Sequence, residues 1–193
     1  MMKIATVGSC QAMALNWYIK QLMPDNEVKW SCTEIWHSWE NDEFGNPDSR
    51  WGSQAHDNIW KVDECIDYIK SADYIIYQKI LPETSEFFNY EKIDSYMKEG
   101  CRSISFSFIQ NNSPEDMKGM QEREAALNLD IPVSEIILNH EKRNLFKFNY
   151  KGLHPNSIFF LEILRHICTK LDWEFFNPHQ YSEISKLGFP FSR

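Results

Sequence analysis

The residues best equipped for chemistry lie at three separated places: the run Gly8-Ser9-Cys10-Gln11, the amide Gln78, and His154. A cysteine at a strand-to-helix turn meets free backbone N–H groups and the positive end of the helix dipole, which favour thiolate over thiol and can also hold an oxyanion. Cys10 is therefore a candidate nucleophile or part of an oxyanion site, against the alternative of an inert buried thiol. His154 lies in a segment, 149–156, that contains Gly152 and Pro155. An imidazole held in such a loop exchanges protons near neutral pH, whereas a lone histidine beside a helix is more often only a surface residue. Ser9, Gln11 and Gln78 can cap, position a substrate or donate to an oxyanion.

These residues need a scaffold that brings them to one edge. Residues 4–7 form a short β-prone run that stops at Gly8, and helical spacing follows from Ala12 until Pro24. A second strand is expected over 27–36, a helix over 57–71 and a third strand over 73–78. Another helix is expected over 85–99, closed by Gly100 as a C-cap, and a strand over 102–109, where Ser alternates with Ile and Phe. Alternation of this kind predicts a parallel sheet covered on both faces, with its ligand edge at the C-terminal ends of the strands. Cys10 and Gln78 fall on that edge. Three further helices, 114–127, 132–145 and 155–171, each begin near a proline. The polar segment 38–55, with Trp39 and Trp51, is long enough to serve as a ligand-covering loop. The aromatic tail 174–193 is expected to pack on the body.

Composition narrows the function class. The 193 residues carry a formal charge of -8 and no basic cluster, which argues against a nucleic-acid partner. No apolar stretch approaches the ~18 residues of a membrane span, and the expected location is the cytoplasm. The five cysteines are odd in number and widely spaced, so reduced thiols are expected. His37, His56, His140, His166 and His179 lack ligand spacing, so no metal site is expected. Neither G-x-G-x-x-G nor a Walker lysine follows the first strand.

The run Gly8-Ser9-Cys10-Gln11-Ala12, the strand ending Tyr77-Gln78 and the late His154-Pro155-Asn156-Ser157 together resemble the WcbI-type polysaccharide biosynthesis acetyltransferases. The resemblance spans residues 3 to about 171. It implies an SGNH-hydrolase-like α/β/α fold, coenzyme A binding and acetylation of capsular polysaccharide. By position it also implies that Cys10 stands where SGNH hydrolases carry their nucleophilic serine, and His154 where they carry their histidine. One departure matters. Lys151 occupies the place of the aspartate three residues before that histidine, so no carboxylate is assigned to orient His154.

The resulting expectation is one three-layer α/β domain over residues 1–193, with a mostly parallel sheet, a helical C-terminal part and the flavodoxin- or SGNH-like arrangement. Its activity would be transfer of acetyl from acetyl-CoA to a hydroxyl of a saccharide or sugar-nucleotide acceptor; self-association is left open. Cys10 and His154 would be catalytic; Ser9, Gln11 and Gln78 would position substrate or stabilise an oxyanion. The rivals are an SGNH-type carbohydrate esterase and a non-catalytic carbohydrate- or nucleotide-binding module.

Overall fold

A computed structural model describes residues 1–31, 62–107, 114–139, 148–149, 154–155 and 157–186. The chain divides into two compact units, Met1–Ser103 and Ile104–Ser192.

The first unit opens with β1 (Lys3–Val7), α1 (Cys10–Leu22), β2 (Glu27–Ser31), α2 (Val62–Ser71), β3 (Tyr74–Gln78) and α3 (Tyr90–Tyr96); β4 (Arg102–Phe106) carries the chain across into the second. The sheet order is β2-β1-β3-β4 with all strands parallel. In β1 the pleat sends Ala5 and Val7 to one face, where they join Ile75 and Tyr77 of β3, Cys65, Tyr68 and Ile69 of α2, and Ile93 of α3 in one buried cluster. Helix α1 packs along β1 and β2 with Ala12, Met13, Leu15 and Ile19 fully buried. Burial of the Met13, Leu15 and Ile19 side chains contributes roughly 1.5–3 kcal/mol each. The chain steps from β1 to β2 in one direction and then returns across β1 to β3. Right-handed crossovers therefore place α1 on one face and α2 on the other, which makes the sheet the middle of three layers. The expected α/β class is the observed one.

This reversal of direction falls between β1 and β3, and the register there is tight. Val7 pairs with Tyr77 and also with Ser31, so Gly8 and Gln78 come next at the C-terminal ends of adjacent strands. At the opposite ends, polar side chains fasten the strands. Asp73 Oδ2 accepts from the Lys3 N–H at 2.8 Å, Asn26 Oδ1 accepts from the Met2 N–H at 2.9 Å, and the Tyr68 hydroxyl donates to the Glu27 carbonyl at 2.7 Å.

The second unit contains α4 (Pro114–Leu127), α5 (Val133–Asn139), the two-residue strands β5 (Phe148–Asn149) and β6 (His154–Pro155), α6 (Ser157–Leu171) and α7 (Pro178–Lys186). Helix α6 buries Phe159, Phe160, Leu161, Ile163, Leu164 and Ile167 completely. Two carboxylates organise the turns: Asp130 accepts from both the N–H and the hydroxyl of Ser105, and Glu124 from the hydroxyls of Ser107 and Ser134. Among the described residues no helix is long and apolar enough to cross a membrane.

The structure corrects several expected boundaries. The helix expected over 85–99 occupies only Tyr90–Tyr96. Ser85 makes a turn instead, accepting from the Phe88 N–H, and Asn89 is the N-cap, accepting from the Lys92 N–H at 3.0 Å. Gly100, at φ +80°, belongs to the turn before β4 rather than to a helix C-cap. The strand expected over 102–109 ends at Phe106. His154, expected in a loop, lies in β6, and α6 begins at Ser157 rather than Pro155. Residues 32–61, which include the expected lid, lie outside the described residues.

Candidate active-site turn

The turn after β1 is built around a glycine. Gly8 adopts φ +142°, a conformation that side chains disfavour, and its carbonyl accepts from the Trp30 indole N–H at 3.1 Å while its N–H donates to the Ser31 carbonyl at 3.1 Å. Ser9 follows in extended geometry as the N-cap of α1. Its hydroxyl accepts from the Gln11 N–H at 3.3 Å, and its carbonyl accepts the first helical bond, from the Met13 N–H at 3.1 Å. This is how a serine satisfies the donors at a helix start. Cys10 is thereby the first residue of a 13-residue helix.

Gln78, at the end of β3, reaches across to this turn. Its Oε1 accepts from both the Ser9 N–H, at 2.6 Å, and the Ser9 hydroxyl, at 2.7 Å. A backbone N–H can only donate, so the amide end facing Ser9 must be the oxygen. The nitrogen end then donates to Gln11 Oε1 at 3.0 Å. All three polar side chains are buried, with Gln11 and Gln78 at 0% and 1% exposure. Ser9, Gln11 and Gln78 meet as a hydrogen-bonded network in which Ser9 gives both its hydrogens to Gln78.

The electrostatics separate the thiols. Burial pushes the Cys65 thiol up in pKa, opposed by a hydrogen bond with Ser31, and burial likewise raises Cys101 and lifts Cys168 to about 12. A neutral thiol is a poor nucleophile. Cys10 is the first residue of α1, and helix N-termini in general favour anions. Cys32 lies outside the described residues. Lys79, next to Gln78, places its ammonium 5.4 Å from the Tyr90 ring centroid. His154 pairs with Asn149 across the β5–β6 ladder. Among the described residues no group of three His, Cys, Asp or Glu side chains could hold a metal ion.

Sequence reasoning did not pick out Trp30, whose indole fixes the carbonyl of Gly8. Its only signal is an N–H donor near the C-terminal end of β2.

The fold resembles that of WcbI. The match, to a structure described as WcbI, a polysaccharide biosynthesis enzyme, in its native form without a disulfide bond between coenzyme A and one of its cysteines, has a TM-score of 0.54 and 17% identity. It covers 95% of this chain and 72% of the WcbI chain. No protein-family model and no curated protein matches the sequence. At 17% identity the likeness to WcbI shows the architecture; in open parallel sheets generally, the crevice at such a reversal of strand order is where ligands bind.

Proposed function

We propose that this chain is a coenzyme A-dependent acyltransferase that moves acetyl from acetyl-CoA to a hydroxyl of a saccharide in surface-polysaccharide biosynthesis. The observation that carries the reading is the Gln78 network, which grips the residues on either side of Cys10 at the reversal point of the sheet. The shared architecture with WcbI, a polysaccharide biosynthesis enzyme described in relation to coenzyme A, supports the class of reaction.

In this reading the residues 1–193 act as one cytoplasmic domain without a metal. His154 takes the proton of the acceptor hydroxyl as its oxygen attacks the thioester carbonyl. In direct transfer, collapse of the tetrahedral intermediate expels the coenzyme A thiolate, which takes the proton back from the imidazolium. Cys10 acts in one of two ways. Either its thiolate first takes the acetyl group as a protein thioester, expelling the coenzyme A thiolate, and is itself expelled when the acceptor oxygen attacks, or the turn holds the oxyanion during direct transfer.

Thermal unfolding with CoA, acetyl-CoA and sugar nucleotides tests the donor assignment. A ligand at about a hundred times its Kd adds about 2.7 kcal/mol of stability. Stabilisation by CoA and acetyl-CoA is expected. Stabilisation by sugar nucleotides alone would favour a binding module, and none by CoA would contradict the transferase.

A further inference from the structure

We infer that Gln78 is a positioning residue for Cys10, fixing the conformation of the reactive turn through Ser9 and Gln11. The inference rests on the reading of Cys10 as the reacting thiol and assigns it a partner on another strand.

One amide holds both neighbours of Cys10. The Ser9 N–H and hydroxyl converge on Gln78 Oε1, and Gln78 Nε2 donates to Gln11 Oε1. Each bond fixes the next. Having given its hydrogen to Gln78, the Ser9 hydroxyl can meet the Gln11 N–H only as an acceptor, which is the capping bond observed. The circuit runs from Gln78 to Ser9, to the Gln11 backbone, to the Gln11 side chain and back to Gln78, with Cys10 inside it. Buried networks whose members are all satisfied are rigid and hold one geometry.

The sequence makes room for this circuit. A Cβ on Gly8 would lie 2.5 Å from Gln78 Oε1 and 3.0 Å from both Gln78 Cβ and Cγ, so the amide occupies the space that glycine leaves. A glutamine that merely filled the core would have no need of two acceptor contacts and one donor contact to the same turn. A carboxylate or a shorter amide at position 78 could not complete the circuit. Glutamate keeps the acceptors for Ser9 but loses the donor to Gln11, and asparagine is one methylene too short to span residues 9 and 11.

The test measures the rate of Cys10 alkylation by iodoacetamide against pH, by peptide mapping, in wild type, Gln78→Asn and Gln78→Glu, with thermal unfolding of each. Expected is a fall of about tenfold in the Cys10 rate at neutral pH in both variants, with a midpoint raised by about one pH unit in Gln78→Glu from the added negative charge. Asparagine is neutral, so its effect cannot be one of charge. If Cys10 alkylates as in wild type in the folded Gln78→Asn protein, and the variant differs only in melting temperature, Gln78 is structural and the inference is overturned. If Cys10 is not the fastest thiol in wild type, the reading of Cys10 itself fails, and the role of Gln78 falls with it.

Discussion

Gly8 and Gln78 approach so closely that a single methyl group on Gly8 would overlap the oxygen of Gln78 that holds Ser9. The contact joins the end of β1 to the end of β3. Gly8→Ala must therefore either displace the amide or shift the turn, and φ +142° strains any side chain as well. A loss of roughly 1–3 kcal/mol is expected, together with slower alkylation of Cys10. Urea unfolding and thiol mapping of the variant check the two effects separately, and an unperturbed Cys10 rate would show that the contact does not govern the turn.

The thiols should react in a definite order. Cys10 begins a helix, whereas Cys65, Cys101 and Cys168 are held neutral by burial. Limited alkylation of the native protein should modify Cys10 before those three. Labelling of Cys168 first would contradict the assignment most sharply, because its thiol is raised to about 12.

Glu124 is buried to 4% exposure and accepts from the hydroxyls of Ser107 and Ser134 and from the Ser134 N–H at 3.1 Å. It ties the end of β4 to the start of α5. Glu124→Ala removes the acceptor for all of these donors, and a destabilisation of roughly 2–4 kcal/mol is expected in urea unfolding. A change below about 0.5 kcal/mol, the range of ordinary surface substitutions, would refute the structural role.

Asp73 predicts an acid dependence. A hydrogen bond from the Lys98 side chain, followed by one from the Lys3 N–H, holds its carboxyl below the ordinary 3.8. A depressed carboxylate adds stability above its unfolded value and loses it as pH falls through its folded one. Asp73→Asn should therefore be less stable than wild type near pH ~6 and approach it below pH ~3. Urea midpoints across that range provide the check; a gap that widens in acid would reverse the sign and contradict the linkage.

Much of this was legible in local pattern. The period-2 and period-3.6 runs gave β1, β3 and α4, with α4 running over Pro114–Leu127 as its spacing indicates. The first turn was legible because a serine before a helical run is a cap. Other features depend on long-range pairing. Ser9 and Gln78 are 69 residues apart, and their contact follows from the β1–β3 register, which no local window contains. The ladder that takes up His154 is two residues long, too short for periodicity to register. The expected start of α3 at residue 85 was misplaced because Ser85 and Asn89 are both residue types that cap helices; Ser85 closes a turn onto Phe88, and Asn89 caps α3.

Acetyl transfer itself is the most direct measurement. Radiolabelled acetyl-CoA is incubated with de-O-acetylated surface polysaccharide and wild-type, Cys10→Ser or His154→Ala protein, and the polymer is assayed for hydroxylamine-labile label. Wild type is expected to label the polymer. His154→Ala should lose ~10²–10⁴ in rate while still being stabilised by CoA, as a general base acts in the transition state rather than in holding the donor. Cys10→Ser separates the two routes: a thioester route requires the thiol and leaves an acetylated wild-type protein when acceptor is withheld, whereas an oxyanion role tolerates serine with partial loss. Full transfer by His154→Ala, or label released only as free acetate by wild type, would contradict an acetyltransferase acting through Cys10 and His154.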